Sequence, residues 1–387
     1  MTNSRSILSA FALILFLAGS QLQAMESEPA QLSSGNRIQQ QQKAPAPIRL
    51  RIAAVGDIMM HDRQIRAGDG VHRYDAFFRH IRPYLEQADL TLGNLETTLA
   101  PAPPYTGYPK FRSPAAYADA LKHAGFDLLS TANNHAMDGG ISGVRHTWQE
   151  LSRRGIHPVG TAPKRQQQTP VIVDKSGIRF SFSAYTYGTN GIPVPGNKKY
   201  LVNRIDFNHI QRDIRESKRK GADFIVVQFH FGKEYARTPS QEQKDIANKT
   251  LKAGADVVLG SHPHVLQPLQ TINHNGKTKL IAYSLGNFIS DQQKPYTNDG
   301  AVLYLDIVKK GKETRLNGVS FLPTFTYKYL KAGNKQFSIL PLQGSKETIE
   351  ARLPSRHGIN KAAMDRSRGN TLEVLNRYQE VPIFQEK

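Results

Sequence analysis

The chain is 387 residues long, 39% hydrophobic and 21% charged, which excludes both a disordered polymer and a membrane-embedded bundle. Its 51 lysines and arginines against 32 aspartates and glutamates give a net charge of +19, a balance that favours an anionic partner. No basic block is interleaved with aromatics, so no nucleic-acid groove is expected, and without cysteine there are neither disulfides nor a cysteine-linked lipid anchor.

Residues 1–24 read as an export signal. Arg5 gives a basic start, Ile7 to Ala18 is an apolar run of 12 residues, and Leu22-Gln23-Ala24 fits a cleavage site. That run is too short to span a bilayer comfortably, so the expected mature protein is periplasmic or secreted. Residues 25–48, rich in Gln, Ser, Ala and Pro, cannot bury a face and read as a flexible tether. One folded domain is expected over 49–345, followed by a basic, weakly patterned extension over 346–387 with a short helix at 372–378.

The domain opens with a strand at Ile48–Val55 that runs into Gly56-Asp57. Tyr74 to Gln87 has helical spacing through Phe77, Phe78, Ile81 and Leu85. A strand at Ala88–Gly93 runs into Asn94-Leu95-Glu96. The proline-rich stretch from Pro101 to Pro109 is a loop, and Pro114–Gly125 is a helix with Ser113 as its N-cap. Asp127–Ala132 is a strand leading into Asn133-Asn134-His135 and Asp138, ahead of a helix over Gly140–Arg154.

Next, a hairpin around Lys175-Ser176-Gly177 joins residues 170–173 to Ile178–Ala184, and residues 185–199 form a loop suited to cover a site. Asp206–Lys220 is an amphipathic helix. The strand Ala222–Phe229 ends at His230, with Glu234 and Tyr235 just beyond, and Thr238 with Gln241 has the spacing of a capping box opening a helix to Gly254. Val257–Leu259 reads as a buried strand that turns at Gly260 into His262-Pro263-His264, where the proline holds two imidazoles apart. Leu280–Leu285 runs into Gly286-Asn287, and Ala301–Val308, Leu316–Leu322 and Gln336–Leu340 are further strands.

Asp57, Glu96, Asn134, His135, His230, His262 and His264 thus each follow an apolar strand. One such residue is ordinary turn chemistry. Five strand ends that finish in oxygen or imidazole donors point to a metal centre. The donor mix suits a divalent transition metal (Mn, Fe or Zn) better than Ca, and there are donors for one or two ions, with two sharing a carboxylate.

The ordered segments Gly56-Asp57-Ile58-Met59, Asn94-Leu95-Glu96, Ala132-Asn133-Asn134-His135, His230-Phe231-Gly232-Lys233-Glu234-Tyr235, Gly260-Ser261-His262-Pro263-His264 and Tyr283-Ser284-Leu285-Gly286-Asn287 resemble the CapA family, capsule or poly-γ-glutamate biosynthesis proteins of the metallophosphatase-like superfamily. The resemblance covers residues 52–292. It implies an α/β fold, a metallophosphatase-like four-layer α/β/β/α sandwich, with the site at one edge. It also implies that Asp57 and His264 hold a first ion, that Glu96 bridges, that Asn134, His230 and His262 hold a second, and that His135 protonates the leaving group. Met59 stands where the pattern has a histidine for the first ion, and His61 is two residues out of place, so that ion is expected to lack one ligand.

The expected function is an exported metal-dependent hydrolase in which a metal-bound hydroxide attacks a phosphoester or a polymer amide. The alternative is a non-catalytic polyanion-binding component of capsule or polymer assembly with a structural metal. Expected partners are an anionic substrate or polymer (a phosphoester, poly-γ-glutamate or capsule) and, by family implication, membrane-bound assembly proteins. Glu234, Tyr235, Lys110 and Arg112 are the expected substrate contacts.

Overall fold

A computed structural model describes residues 46–68, 74–344 and 361–385. The expected export signal and nearly all of the tether lie outside the described residues, as does the start of the C-terminal extension. Among the described residues no helix is long and apolar enough to cross a membrane.

Two sheets carry the fold. Across the first run β16 (Asn334–Pro341), β15 (Glu313–Lys331), β14 (Asp299–Lys310), β1 (Ile48–Ile58), β2 (Leu90–Leu95), β5 (Leu128–Ser130) and β6 (His157–Val159), with β13 (Asn287–Ile289) beside the end of β1. β1, β2, β5 and β6 are parallel, and β14 to β16 form an antiparallel meander. The second sheet has the order β11 (Leu266–His274), β12 (Lys277–Leu285), β10 (Val257–Ser261), β9 (Phe224–His230), β8 (Ile178–Thr186), β7 (Val171–Lys175). Its four central strands are parallel and its edges are closed by hairpins. A small separate pair joins β3 (Thr98–Ala100) to β4 (Arg112–Pro114).

Strand alternation explains the layering. In β1, Ile52 and Ala54 face the second sheet and pack with Leu92, Phe180, Phe182, Val226, Leu259 and Ala282. Ala53 and Val55 face the other way, against Phe78, Leu121 and Leu151 of the helices α2 (Asp75–Phe78), α4 (Ala116–His123) and α5 (Gly140–Arg153); α1 (Asp62–Ala67) and α3 (Arg82–Leu85) lie in the same layer. On the far side of the second sheet, Val227, Phe229 and Val258 pack against Ile210 and Ile214 of α6 (Phe207–Arg219) and Ala247 and Leu251 of α7 (Gln241–Ala253). Both faces of each sheet are therefore covered, which is why the parallel strands read as unbroken apolar runs. The order is α/β/β/α, the sandwich that the sequence resemblance implies.

Several local expectations change. The stretch from Tyr74 to Gln87 is two short helices, and Pro83 lies in the first turn of the second, where its missing N–H has no helical partner to lose. Ser113 caps nothing: it sits in β4 and its hydroxyl meets that of Thr97 at 2.6 Å, while α4 begins two residues beyond Pro114. The capping box of α7 is Ser240 with Gln243, not Thr238 with Gln241. Gly260 does not turn the chain; it lies inside β10, where a Cβ would sit 1.9 Å from the Tyr283 carbonyl oxygen. The left-handed backbone falls instead on His262 and His264, at φ 97° and 59°. The terminal helix α8 (Lys361–Leu375) is longer and earlier than the pattern suggests, and past it Phe384 stacks on Tyr304 at 4.0 Å.

Candidate metal centre

Strand register assembles the site. Asn287, Asp57, Asn94 and Ser130 are consecutive neighbours across β13, β1, β2 and β5, and Thr186, His230 and Ser261 across β8, β9 and β10. Apart from Asn287, which opens β13, both rows lie at the carboxyl ends of parallel strands, where open α/β sheets gather ligands. The chain then adds Glu96 two residues past Asn94, and Asn134 and His135 beyond β5. Asp57, Glu96, His230, His262 and His264 are all buried.

Three groups of donors come together, each with its ligand atoms within 4.8 Å of one another: Asp57, Glu96 and His264; Glu96, His230 and His262; and Glu234, His262 and His264. Glu96 belongs to the first two, the place expected of a bridging carboxylate. Its Oε1 is buried without a hydrogen-bond partner, 3.5 Å from His230 Nε2 and 3.7 Å from His264 Nε2. Two donors on one ion, each at about 2.1 Å and opened by a tetrahedral or wider angle, lie about 3.4–3.7 Å apart, so these spacings fit shared coordination. His230 Nε2 also meets Asn134 Oδ1 at 2.9 Å. His262 Nδ1 is a second buried atom without a partner.

Surrounding amides orient these donors. Asn94 Nδ2 donates to Asp57 Oδ1 at 2.8 Å and approaches Glu96 Oε2 at 3.4 Å. His264 Nδ1 faces two acceptors, Asp57 Oδ2 and Asn287 Oδ1, each at 3.1 Å, which puts the proton on Nδ1 and leaves Nε2 with its lone pair toward Glu96. The Asn287 amide nitrogen is spent on Ser290, Gln292 and Thr297, which fixes its oxygen as the acceptor. Asn94 and Asn287 stand in the motifs read above, but sequence reading gave them no role. Their signal was only their place directly after an apolar strand.

Burial sets the charge states. Glu96 is driven well above the ordinary carboxyl range, first by burial and then by the charges of Asp57 and Glu234. Burial and the neighbouring histidines hold His230 well below its ordinary 6.5, and His262 down to about 4. Neutral imidazoles facing crowded carboxylates are the donors a divalent cation takes.

His135 lies outside these three donor groups. Its Nδ1 is 2.7 Å from Asp138 Oδ2, its ring meets Phe111 edge-on at 4.6 Å, and its backbone N–H donates to Asn133 Oδ1. Asn190, from the loop after β8, donates weakly toward the ring and accepts from Asn134 Nδ2 at 3.2 Å. Tyr187 of the same loop tilts over His262 with ring centroids 4.6 Å apart.

The expected substrate contacts divide. Tyr235 packs toward His264 at 6.1 Å, and burial with Glu234 pushes its hydroxyl up to about 12. Glu234 is exposed and shares a donor group with His262 and His264. Among the described residues no hydrogen bond or ion pair joins the Lys110 or Arg112 side chain to the cluster, and Arg112 Nε is buried without a partner. The residue between them, Phe111, makes the contact with His135. Met59 is buried and His61 is outside the donor groups; His61 Nδ1 accepts the Asp291 N–H at 3.2 Å, and burial lowers its imidazole to about 4.

Residues 51–292 match the family described as bacterial capsule synthesis protein PGA_cap. The chain is 30% identical over 280 residues to the PGA biosynthesis protein CapA of Bacillus subtilis, covering 68% of this chain and 69% of that protein. It is 32% identical over 297 residues to the capsule biosynthesis protein CapA of Bacillus anthracis, covering 70% and 69%. Among solved structures, a hypothetical protein from Thermus thermophilus aligns with TM-score 0.45 and 18% identity over 71% of this chain and 98% of that one. A calcineurin-like phosphoesterase from Bacillus subtilis aligns with TM-score 0.39 and 16% identity over 85% and 99%.

Proposed function

The chain belongs to the bacterial capsule synthesis family PGA_cap, and we propose that this member is an exported, metal-dependent hydrolase acting on a phosphoester or on the amide of a polyanionic polymer. The observation that carries the reading is Glu96 Oε1, a buried carboxylate oxygen with no hydrogen bond, set between two imidazole nitrogens at coordination spacing. Asp57, Glu96 and His264 would hold one divalent ion, and Glu96, Asn134, His230 and His262 a second. A bound ion supplies Lewis acidity and an acidified water.

The remaining chemistry belongs to the chain. Asp138 fixes the proton of His135 on Nδ1 and supports the charged imidazolium, so that Nε2 can hand a proton to a leaving oxygen or nitrogen. Phe111 holds the ring from its edge. An excess of positive charge lies nearby: Arg63, Lys328 and Lys335 gather around the one buried carboxylate of Asp291, whose N–H is bonded to His61. His61 in turn packs on Phe111 at 5.1 Å. Such an imbalance favours an anionic substrate. Export is supported by the basic start at Arg5 and the apolar run from Ile7 to Ala18.

The test is hydrolysis of a generic phosphodiester and of poly-γ-glutamate by protein loaded with Mn, Fe or Zn, with His135→Ala as control. The expected result is turnover that falls at least about 100-fold in the variant. Equal rates for the two proteins remove His135 as the acid. Metal uptake without turnover of either substrate favours a polymer-binding component with a structural metal.

A further inference from the structure

With Met59 in place of a histidine, the ion at Asp57, Glu96 and His264 has three donors from the chain. We propose that Glu234 is the missing ligand, a carboxylate that closes the centre from the solvent side. The inference rests on the metal reading above and assigns Glu234 to the centre itself, where sequence reasoning made it a substrate contact.

Proximity is the first support. The ligand atoms of Glu234, His262 and His264 lie within 4.8 Å of one another, and Glu234 is the exposed member beside two buried imidazoles. Two histidines thus each face a carboxylate on either side: Glu96 within the fold and Glu234 at its mouth.

The backbone carrying Glu234 is built for that position. The turn after β9 is tied to the turn after β10 by Tyr235 N–H, which donates to the Pro263 carbonyl at 2.8 Å, between the two histidines. Left-handed φ values recur at Gly232 (100°), Tyr235 (63°), His262 (97°) and His264 (59°). Three of these are not glycine, a strain that persists only where surrounding contacts impose it. At Gly232 a Cβ would lie 2.5 Å from the Gln243 side chain, and Gln243 donates to Gln267 Oε1, which in turn bonds the Ala236 carbonyl through Nε2. Glu234 therefore stands on a turn clamped on both sides.

Charge gives the third argument. A free, exposed carboxylate beside His262 and His264, on the solvent side of the centre, would repel an anionic substrate. Coordination removes the conflict, because a bound cation neutralises the carboxylate where it stands.

The experiment is titration of metal-free protein with Zn²⁺ and Co²⁺, read by calorimetry and by the visible spectrum of bound Co²⁺, for wild type, Glu234→Gln and Glu234→Ala. Because Glu234 is exposed, both variants should keep the wild-type circular dichroism spectrum. The expected result is a loss of about tenfold or more in the affinity of the weaker binding step, with a changed Co²⁺ spectrum and the tighter step retained. Unchanged affinity, stoichiometry and spectrum in both variants would overturn the inference and return Glu234 to a substrate contact, leaving the proposed function standing. A wild type that takes up neither metal overturns both.

Discussion

Replacing Glu96 with glutamine should change the sign of its effect on stability according to whether metal is present. In the metal-free protein Glu96 is a liability. It is fully buried, receives one long hydrogen bond from Asn94 at 3.4 Å and lies beside Asp57. Its carboxyl pKa is raised in the fold above the unfolded 4.5, so the folded protein keeps a proton that the unfolded chain releases. Its contribution is therefore complete below pH 4.5 and is lost as pH rises. The cost at pH 7 is bounded by full protonation, about 3 kcal/mol for the interval from 4.5 to 7. Glutamine never ionises and keeps an acceptor for Asn94. In chelator, Glu96→Gln should thus unfold at higher urea than wild type at pH 7, by up to about 3 kcal/mol, and equally at pH 4.5. In metal at 1,000 times its Kd, wild type gains about 4.1 kcal/mol and the variant much less, so the order reverses. A variant less stable than wild type in chelator at pH 7 would refute the reasoning.

Three further outcomes follow from other parts of the structure. Burial keeps His61 neutral down to about pH 4, so the unfolded chain binds the extra proton between 6.5 and 4 and metal-free wild type should lose about 3 kcal/mol more over that interval than His61→Asn, measured by urea unfolding. Asp138→Asn retains an acceptor for the Phe111 N–H but not the charge that supports His135; turnover should fall about 10²- to 10⁴-fold with metal content and melting temperature near wild type, by metal analysis and calorimetry. Gly260→Ala would push a methyl into the Tyr283 carbonyl at the centre of the second sheet, and should cost more than about 3 kcal/mol or prevent folding, read from soluble yield and thermal melting.

Much of the candidate donor cluster was legible because its residues follow apolar strands, and parallel strands buried on both faces are the plainest pattern a sequence offers. Register then does what spacing along the chain cannot show: it sets Asn287, Asp57 and Asn94 side by side across three strands that are distant in sequence. The amides that orient the histidines were invisible for that reason, since an asparagine after a strand is also an ordinary turn residue. Short signals failed where tertiary contacts decide. Ser113-Pro114 has the composition of a helix start, yet pairing with β3 keeps it extended. Gly260 looked like a hinge, yet its lack of a side chain serves close approach between β10 and β12. The strand β11 carries Gln267, Pro268, Gln270 and Asn273 and so lacks the apolar run that revealed its partner β12. Lys110 and Arg112 drew notice by charge, whereas the contact with His135 belongs to the apolar residue between them.

The central claim is that Glu96 bridges a metal centre, and its most direct test is anomalous scattering from crystals grown with Mn²⁺ or Zn²⁺. The account predicts a peak within about 2.3 Å of Glu96 Oε1, with a histidine nitrogen from His230, His262 or His264 on the same ion. A map with no peak at Glu96, from crystals whose protein binds the metal in solution, would contradict it.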